Sequence, residues 1–309
     1  MTGVAGFVAP RHLRAIKDTG NRLIAALDPH DSAGILDSYA PGARFFTEFE
    51  RFDRHLDKLR RDAPENRVDF LSVCSPNYLH DAHIRLALRC GADVICEKPV
   101  VINPWNLDAL QQLESETGRR VNTVLQLRLH PDLIALKQRL DAEPSRHHEV
   151  ELTYITTRGP WYFVSWKGDV ERSGGLATNI GIHFFDLLLW LFGSLRSTEV
   201  HLREADRTGG YLECARASIR WFLSVRPEDL PFRHEPSRRS TFRSIEVDGS
   251  AVEFTEGFAE LHTRVYEEAL AGRGFGLDVA RPSIELAYRI RNEAVITRPV
   301  RRHPAVAVT

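Results

Sequence analysis

The feature that most limits the fold is a regular alternation of short apolar runs with amphipathic segments through the first half of the chain. Residues 68–74 (VDFLSVC) are typical of a buried strand, and residues 78–90 fit a helix because Ile84, Ala87 and Leu88 fall on one face. Parallel strands need long crossover connections, so this alternation predicts a parallel sheet joined by helices. The other elements predicted in this half are helices at 11–18 and 104–117 and strands at 23–27, 93–96 and 121–127.

A different pattern begins after Asp132, where predicted strands follow one another without helices between them. This succession favours a largely antiparallel, open-faced sheet, and Asp248-Gly249 is a hairpin signal between two of its strands. The elements predicted here are a helix at 133–140 and strands at 149–157, 200–203, 215–225, 242–247 and 251–254.

The composition limits the classes of partner. Lysine plus arginine (41) nearly balances aspartate plus glutamate (42), so no net field would draw the protein to nucleic acid or to an anionic membrane. The longest apolar run, 184–192, contains Asp186 and is well short of the roughly 20 residues that span a bilayer. The four cysteines have neither CxxC nor zinc-finger spacing, which favours reduced thiols. We therefore expect a cytoplasmic protein that binds neither nucleic acid nor membrane.

A turn rich in small residues near the start favours a dinucleotide site. Gly3, Gly6, Phe7 and Val8 belong to the segment GVAGFVAPRH, which leads into the first predicted helix. Small residues let a backbone approach a pyrophosphate, and a helix N-terminus attracts that anion. The spacing G-x-x-G-x-x-A departs from the usual G-x-G-x-x-G, and taken alone such a segment is more often only a turn.

Asp28 strengthens the prediction. It directly follows the predicted strand at 23–27, about 20 residues beyond the glycines. A carboxylate at this place can accept hydrogen bonds from the adenosine ribose and repel a 2′-phosphate. NAD is therefore favoured over NADP. The alternative is that Asp28-Pro29 merely begins a turn.

These observations predict a fold of the α/β plus α+β class. A Rossmann-type parallel-sheet domain would occupy 1–127, and an α+β domain for substrate binding and oligomerisation would occupy 128–309. Only Met1 and Thr2 precede Gly3, whereas a strand usually has about 5–6 residues. We therefore expect that the first strand is truncated and that the natural chain carries several more apolar residues.

Several ordered motifs resemble the Gfo/Idh/MocA oxidoreductase family. They are SPNYLH at 75–80, EKP at 97–99, WKGD at 166–169, SGG at 173–175 and NIGIHFFD at 179–186. Within the family, segments such as LTYITTRGPWY and ATNIGIHFFD are similar to a subgroup of UDP-N-acetylglucosaminuronate 3-dehydrogenases. Most family members carry Asp where this chain has Asn179, a departure that the subgroup shares.

The resemblance implies oxidation of a secondary alcohol, which requires a base, a group that stabilises the alkoxide and a hydride acceptor. His183 is the predicted base, and Lys98, at the carboxyl end of a parallel strand, would stabilise the alkoxide. The two roles could be exchanged, because a cationic or buried environment lowers a lysine pKa. Taken singly, Lys98 would be a loop lysine and His183 a core histidine paired with Asp186.

The remaining site predictions fall into two groups. A nucleotide sugar acid brings a pyrophosphate and a carboxylate, so the predicted substrate contacts are rich in donors. The predicted cofactor contacts are Gly3, Gly6, Phe7, Val8, Asp28, Ser75, Asn77, His80, Glu97, Lys98, Trp166 and Lys167. The predicted substrate contacts are Gln126, Arg128, Tyr154, Arg158, Asn179 and His183. No metal is expected, although His80, His83, His183 and Asp186 offer ligand types that zinc accepts.

The resemblance implies an NAD-dependent dehydrogenase that oxidises the C3 hydroxyl of UDP-N-acetylglucosaminuronic acid during lipopolysaccharide O-antigen synthesis. It leaves open whether 2-oxoglutarate regenerates NAD, and it implies a homo-oligomer, commonly a tetramer. One alternative is a dehydrogenase of the same family that acts on another sugar or on inositol. A second alternative is a non-catalytic, truncated fragment.

Overall fold

The computed structural model describes residues 1–62, 65, 67–232, 240–252, 254 and 260–306. The chain forms two compact units, one of Met1–Leu129 with Ala259–Arg281 and one of His130–Phe258 with Pro282–Thr309. The sequence interpretation placed a single boundary after residue 127. The structure divides the chain two residues later and, in addition, places Ala259–Arg281 with the first unit.

The first unit contains short parallel strands, as predicted. β1 pairs with β2, and β3, β4 and β5 form a second group in that order. Thr2 makes parallel bridges to both Leu27 and Val73, so it occupies the place of a central strand between the two groups. The strands are β1 (Ala25–Leu27), β2 (Arg44–Phe46), β3 (Phe70–Val73), β4 (Asp93–Cys96) and β5 (Val121–Thr123).

Helices connect these strands, which confirms the predicted α/β class. The predicted helix at 104–117 is observed at those residues, and Gly118 ends it with a left-handed conformation. The predicted strand at 121–127 is shorter, because a 3-10 turn begins at Gln126. The helices are α1 (Ala9–Asp18), α2 (Leu36–Tyr39), α3 (Phe49–Asp62), α4 (His80–Arg89) and α5 (Pro104–Thr117), with a 3-10 turn at Asn77–Leu79 before α4.

The second unit is built on a six-stranded sheet with the order β11-β10-β6-β9-β8-β7. Its neighbouring strands are antiparallel except for β6 and β9, which confirms the largely antiparallel prediction. The strands are β6 (His148–Thr156), β7 (Leu195–Arg203), β8 (Arg207–Cys214), β9 (Ala217–Ser224), β10 (Thr241–Val247) and β11 (Ser250–Ala251).

The hairpin between β10 and β11 is observed, with positive φ at both Asp248 and Gly249 (52° and 76°). The predicted strand at 251–254 extends only to Ala251, and Glu253 lies outside the described residues. β8 was not predicted, because Gly209 and Gly210 lower the strand propensity of its sequence.

An apolar helix covers one face of this sheet. Phe185, on this helix, meets Trp221 edge to face at a centroid distance of 5.2 Å, and both side chains are fully buried. Residues 170–192 are long and apolar enough by length and composition to cross a membrane. However, 78% of their most apolar stretch is buried inside the fold, as in a core helix. The helices of this part are α6 (Pro131–Ala142), α7 (Trp161–Val164), α8 (Val170–Ser173) and α9 (Ile182–Phe192).

Residues near the C-terminus lie on the other face of the sheet. His303 stacks on Phe222 at 5.6 Å, and Val306 packs in a cluster with Ile155 and Phe222. Arg301 pairs with Glu213 at 3.1 Å. This face is therefore partly covered by the chain's own last segment.

Two helices close the described chain, and neither was predicted. They are α10 (Leu261–Leu270) and α11 (Leu277–Asn292), and α10 belongs to the first unit. The signal was present, because Leu261, Val265 and Ala269 recur at intervals of four and are all buried.

Gly210 should be essential to the sheet of the second unit. A Cβ there would lie 2.1 Å from the Glu199 carbonyl oxygen on the paired strand, and backbone cannot easily move away. We expect Gly210→Ala to lower the free energy of unfolding by about 1–3 kcal/mol, measured by urea unfolding. Gly42→Ala, where an added Cβ meets nothing within 4 Å, is the control, and equal stability of the two variants would contradict the prediction.

Candidate active site

The glycine-rich turn lies against the end of β3. Gly3 has φ of +76°, and a Cβ there would be 2.4 Å from the Cys74 carbonyl oxygen. The Gly3 N–H donates to the Leu27 carbonyl oxygen at 2.8 Å, and the Gly6 N–H donates to the Gly3 carbonyl oxygen at 3.1 Å. Glycine at position 3 is thus required by both conformation and space, and the resulting tight turn fits the close backbone approach that a dinucleotide needs.

The turn leads directly into α1. Val8 is the N-cap and its side chain makes no capping hydrogen bond, while Pro10 lies in the first helical turn. Phe7 is 89% exposed, with the Arg11 guanidinium 5.9 Å from its ring centroid. A helix N-terminus without a side-chain cap attracts an anion such as a pyrophosphate.

Asp28 lies beside this turn within the same unit. Its Oδ2 accepts the Ala5 N–H and its Oδ1 accepts the His30 N–H, both at 3.0 Å. A carboxylate has about four acceptor positions, so two backbone donors leave capacity for ribose hydroxyls. The turn, the helix end and Asp28 together fit an adenosine dinucleotide. Binding by the individual residues stays a prediction.

The 75–80 motif lies just after β3. Ser75 and Asn77 are buried, and the Ser75 hydroxyl contacts His83 Nδ1 at 2.8 Å. His80 is also buried, with its two ring nitrogens 2.7 Å and 2.8 Å from the carbonyl oxygens of Pro99 and Ser75. Burial lowers the pKa of His80 below its ordinary value, and the two carbonyl contacts offset only part of this. His80 thus joins the ends of β3 and β4.

Glu97 and Lys98 follow β4. Lys98 is half-buried. Its backbone N–H donates to Glu97 Oε2 at 3.3 Å. The Glu97 carboxylate is buried, and its Oε1 accepts from His12 at 3.0 Å and from His262 at 3.2 Å. Sequence reasoning missed His12 and His262, although both occupy buried positions of amphipathic helices.

The two remaining predicted residues of the first unit lie in the 3-10 turn after β5. The Gln126 side-chain oxygen is buried and accepts no hydrogen bond among the described residues. The Arg128 guanidinium lies 5.8 Å from the Phe275 ring centroid. Both are predicted substrate contacts and are near each other in the fold.

The 179–186 motif begins in a π-helical turn, Ala177–Gly181, and continues into α9. Asn179 is buried and donates to the Tyr162 hydroxyl at 3.0 Å. An added Cβ at Gly181 would lie 2.6 Å from Leu223 on the sheet, so glycine permits this close approach. His183 is half-buried in the first turn of α9, and Asp186, one turn later, is 2% exposed. π-Helical turns are frequent at functional sites.

Basic and aromatic side chains gather in the same unit. The Lys167 ammonium lies 4.3 Å from the Trp166 ring centroid, and burial together with Arg158 lowers the Lys167 pKa. Arg158 donates to the Thr156 hydroxyl at 2.9 Å. Tyr154 packs on Phe184, the residue after His183, at 4.6 Å. These groups can supply donors and stacking faces for an anionic ligand.

Fold and site together define a class of protein. A parallel sheet with a glycine-rich turn, an uncapped helix end and an acidic residue after β1 is a dinucleotide-binding domain, and along the chain it precedes an α/β domain built on an open sheet. Residues 1–124 match the profile described as "Oxidoreductase family, NAD-binding Rossmann fold". Residues 147–229 match "Oxidoreductase family, C-terminal alpha/beta domain". The chain belongs to the Gfo/Idh/MocA oxidoreductase family, and its first domain is an NAD-binding Rossmann domain.

Solved structures of relatives agree with this assignment. The WlbA (WbpB) dehydrogenase from Thermus thermophilus, solved in complex with NAD and UDP-GlcNAcA, is 52% identical to this chain. The match covers 98% of this chain and 97% of that chain, with a TM-score of 0.93. The same enzyme in complex with NAD and alpha-ketoglutarate gives 52% identity, the same coverage and a TM-score of 0.94.

Curated relatives are more distant. An inositol 2-dehydrogenase from Rhizobium meliloti (strain 1021) is 26% identical over 190 residues, which is 61% of this chain and 53% of that protein. The chain spans about half the length of the curated relatives it matches.

Asp28 should set cofactor choice. We expect Asp28→Asn to weaken NAD binding about tenfold and to narrow the preference over NADP, because a charge-assisted hydrogen bond is weakened and a repulsive charge removed. Titration of both cofactors by calorimetry measures this. Asp31→Asn makes the same charge change at an exposed position nearby and is the control. Unchanged selectivity in Asp28→Asn would show that Asp28 only shapes the turn.

Proposed function

We propose that this protein oxidises the C3 hydroxyl of UDP-N-acetylglucosaminuronic acid to a ketone, with NAD as the oxidant, in O-antigen sugar synthesis. The observation that carries the proposal is the 52% identity, over 98% of the chain, to a dehydrogenase solved with NAD and UDP-GlcNAcA. In the reaction, the hydroxyl loses its proton to a base and C3 loses a hydride. NAD, when bound, accepts that hydride and becomes NADH.

Two side chains carry the proton chemistry. Lys98 follows the carboxyl end of β4, where ligands bind in open parallel sheets, and its ammonium would stabilise the developing alkoxide. His183 would accept the hydroxyl proton, since an imidazole titrates near neutral pH. The exchanged assignment, with Lys98 as base, is the alternative. Neither role needs a metal ion.

Each unit, considered by itself, carries predicted donors for anion recognition. Arg128 and Gln126 lie after β5, and Arg158, Lys167 and Asn179 lie around α7 to α9. Their donors suit the pyrophosphate and carboxylate of a nucleotide sugar acid. We propose that Tyr154 adds a hydroxyl and an aromatic face.

The relative's second complex suggests how NAD could be regenerated. That enzyme was solved with NAD and alpha-ketoglutarate, and we propose that 2-oxoglutarate is a second substrate here. It would take the hydride back from NADH, take the proton from the base that the first step had protonated, and leave as 2-hydroxyglutarate. Counting turnovers per enzyme with and without 2-oxoglutarate tests this, and no increase in product would contradict it.

A second candidate function is oxidation of another sugar or of inositol. It rests on the 26% identity to an inositol 2-dehydrogenase. A substrate panel of UDP-sugar acids, inositols and hexoses distinguishes the two, because only the first candidate requires the nucleotide.

We further propose a cytoplasmic homo-oligomer, commonly a tetramer in this family, that binds neither nucleic acid nor membrane. The candidate contact surface is the part of the second unit's sheet face that residues 301–306 leave uncovered. Light scattering on the purified protein measures the assembly, and a monomer would contradict the proposal.

Mutation of the two proposed catalytic side chains tests the chemistry. NADH absorbance is followed after mixing protein, NAD and UDP-N-acetylglucosaminuronic acid. We expect Lys98→Ala and His183→Ala each to reduce kcat by about 100-fold or more, the usual cost of losing an electrostatic stabiliser or a general base.

The matched controls are Lys58→Ala and His147→Ala, which change exposed residues of the same types. Full activity in either catalytic variant would remove that residue from the mechanism. No NADH from the folded wild-type protein would instead favour a different substrate.

A further inference from the structure

The buried Glu97 carboxylate is held by residues from two other parts of the first unit. His12 comes from α1, directly after the glycine-rich turn, and His262 comes from α10, about 160 residues further along the chain than Glu97. Both histidine Nε2 atoms meet the same oxygen, Oε1. The contact with His262 therefore ties a distant segment to the end of β4.

The hydrogen bonds continue beyond Glu97 in a consistent direction. If His12 Nε2 donates to the carboxylate, its Nδ1 is an acceptor, and Tyr266 can donate to it at 2.8 Å. The Tyr266 oxygen can then accept from Ser72, on β3, at 2.6 Å. With both imidazoles neutral, each of these groups has a hydrogen-bond partner, and the negative charge stays on Glu97.

The charge of Glu97 is stabilised despite its burial. Burial alone raises its pKa, but the hydrogen bonds from His12 and His262 outweigh this and hold the pKa well below its ordinary value. A buried carboxylate without such donors is strongly destabilising, because its charge is removed from water without compensation. Removal of one donor should therefore disturb the position of the carboxylate.

The second carboxylate oxygen, Oε2, accepts the N–H of Lys98. On the other side of Lys98, the Pro99 carbonyl contacts His80 at 2.7 Å. The backbone on both sides of the proposed catalytic lysine is thus fixed by buried side chains. Glu97 thus accepts hydrogen bonds at both oxygens within the protein, and its contact with the cofactor stays a prediction.

We propose that His12 and His262 are positioning residues for Lys98, acting through the Glu97 carboxylate. The proposal deepens the function proposed above and rests on it for the catalytic role of Lys98. His262 is the sharper test, because it lies outside the glycine-rich turn and does not belong to any motif recognised in the sequence.

A metal ion held by the same three side chains is the competing interpretation, since their ligand atoms lie within 4.8 Å of one another. The N–O distances of 3.0 and 3.2 Å are those of hydrogen bonds, and the hydrogen-bond directions given above satisfy His12 and Glu97 without a metal ion. Ligands that share a zinc ion at about 2.0–2.2 Å would be spaced only slightly farther apart, so metal analysis is included in the test.

The experiment compares three variants of the full-length protein. His262→Phe keeps an aromatic ring and removes the donor, whereas His262→Gln places an amide N–H where Nε2 lies. Val265→Ala, at an equally buried position on α10, is the matched control for lost packing. Each is measured for kcat, KM, NAD affinity, thermal stability, metal content and hydrogen exchange at the Lys98 amide.

We expect His262→Phe to lower kcat about tenfold with NAD affinity within about twofold of wild type, since small misplacements of a catalytic group slow chemistry more than binding. Exchange at the Lys98 amide should rise about tenfold, because its acceptor is no longer fixed. His262→Gln should recover most of the kcat, and Val265→Ala should lose stability and retain kcat.

Three results would overturn the proposal. Loss of NAD affinity with kcat retained in His262→Phe would make Glu97 a cofactor ligand. Equal loss of kcat in Val265→Ala would mean that packing alone matters. Stoichiometric zinc in the wild-type protein, absent from His262→Phe, would establish a metal site.

The exchange measurement separates this proposal from the proposed function. If wild-type protein reduces no NAD with the nucleotide sugar but exchange at Lys98 rises in His262→Phe and not in Val265→Ala, the substrate assignment fails and the positioning network stands. If exchange is unchanged, the positioning network fails whatever the substrate.

Discussion

A buried negative charge at the end of β4 organises the first unit. Glu97 can remain ionised there only because donors reach it from α1 and α10, and these donors are far from it in sequence. This requirement gives a physical reason for the return of Ala259–Arg281 to the first unit. Burial of Val265, Tyr266 and Ala269 against residues such as Ile16 and Ile95 supplies the apolar part of the same contact.

The dinucleotide site depends on a second local constraint, the close approach of the turn to the strand ends. Gly3 fits against Cys74 only without a Cβ, and Asp28 holds the turn through the Ala5 amide. The same carboxylate is the predicted ribose contact, so substitutions at Asp28 are expected to change the geometry of the turn as well as the cofactor selectivity.

Sequence reasoning succeeded where a signal was local. The helix at 104–117 has proline at its start and glycine after its end, and the hairpin at Asp248-Gly249 needs residues that tolerate positive φ. It failed for β8, where Gly209 and Gly210 are required by close packing between strands and not by propensity. The sequences of α10 and α11 do carry apolar residues at helical spacing, although these two helices were not predicted.

The sequence by itself determined the class of fold, the family and the motifs that carry Lys98, His183 and Asn179, because alternation, turn residues and motif spacing are properties of short segments. Only the tertiary structure revealed that His12 and His262 donate to Glu97, that Tyr266 and Ser72 continue the hydrogen bonds from His12, and that residues 259–281 complete the first unit. The reason is that partners of a buried charge are chosen by proximity in space. Their separation along the chain leaves no pattern that spacing can reveal.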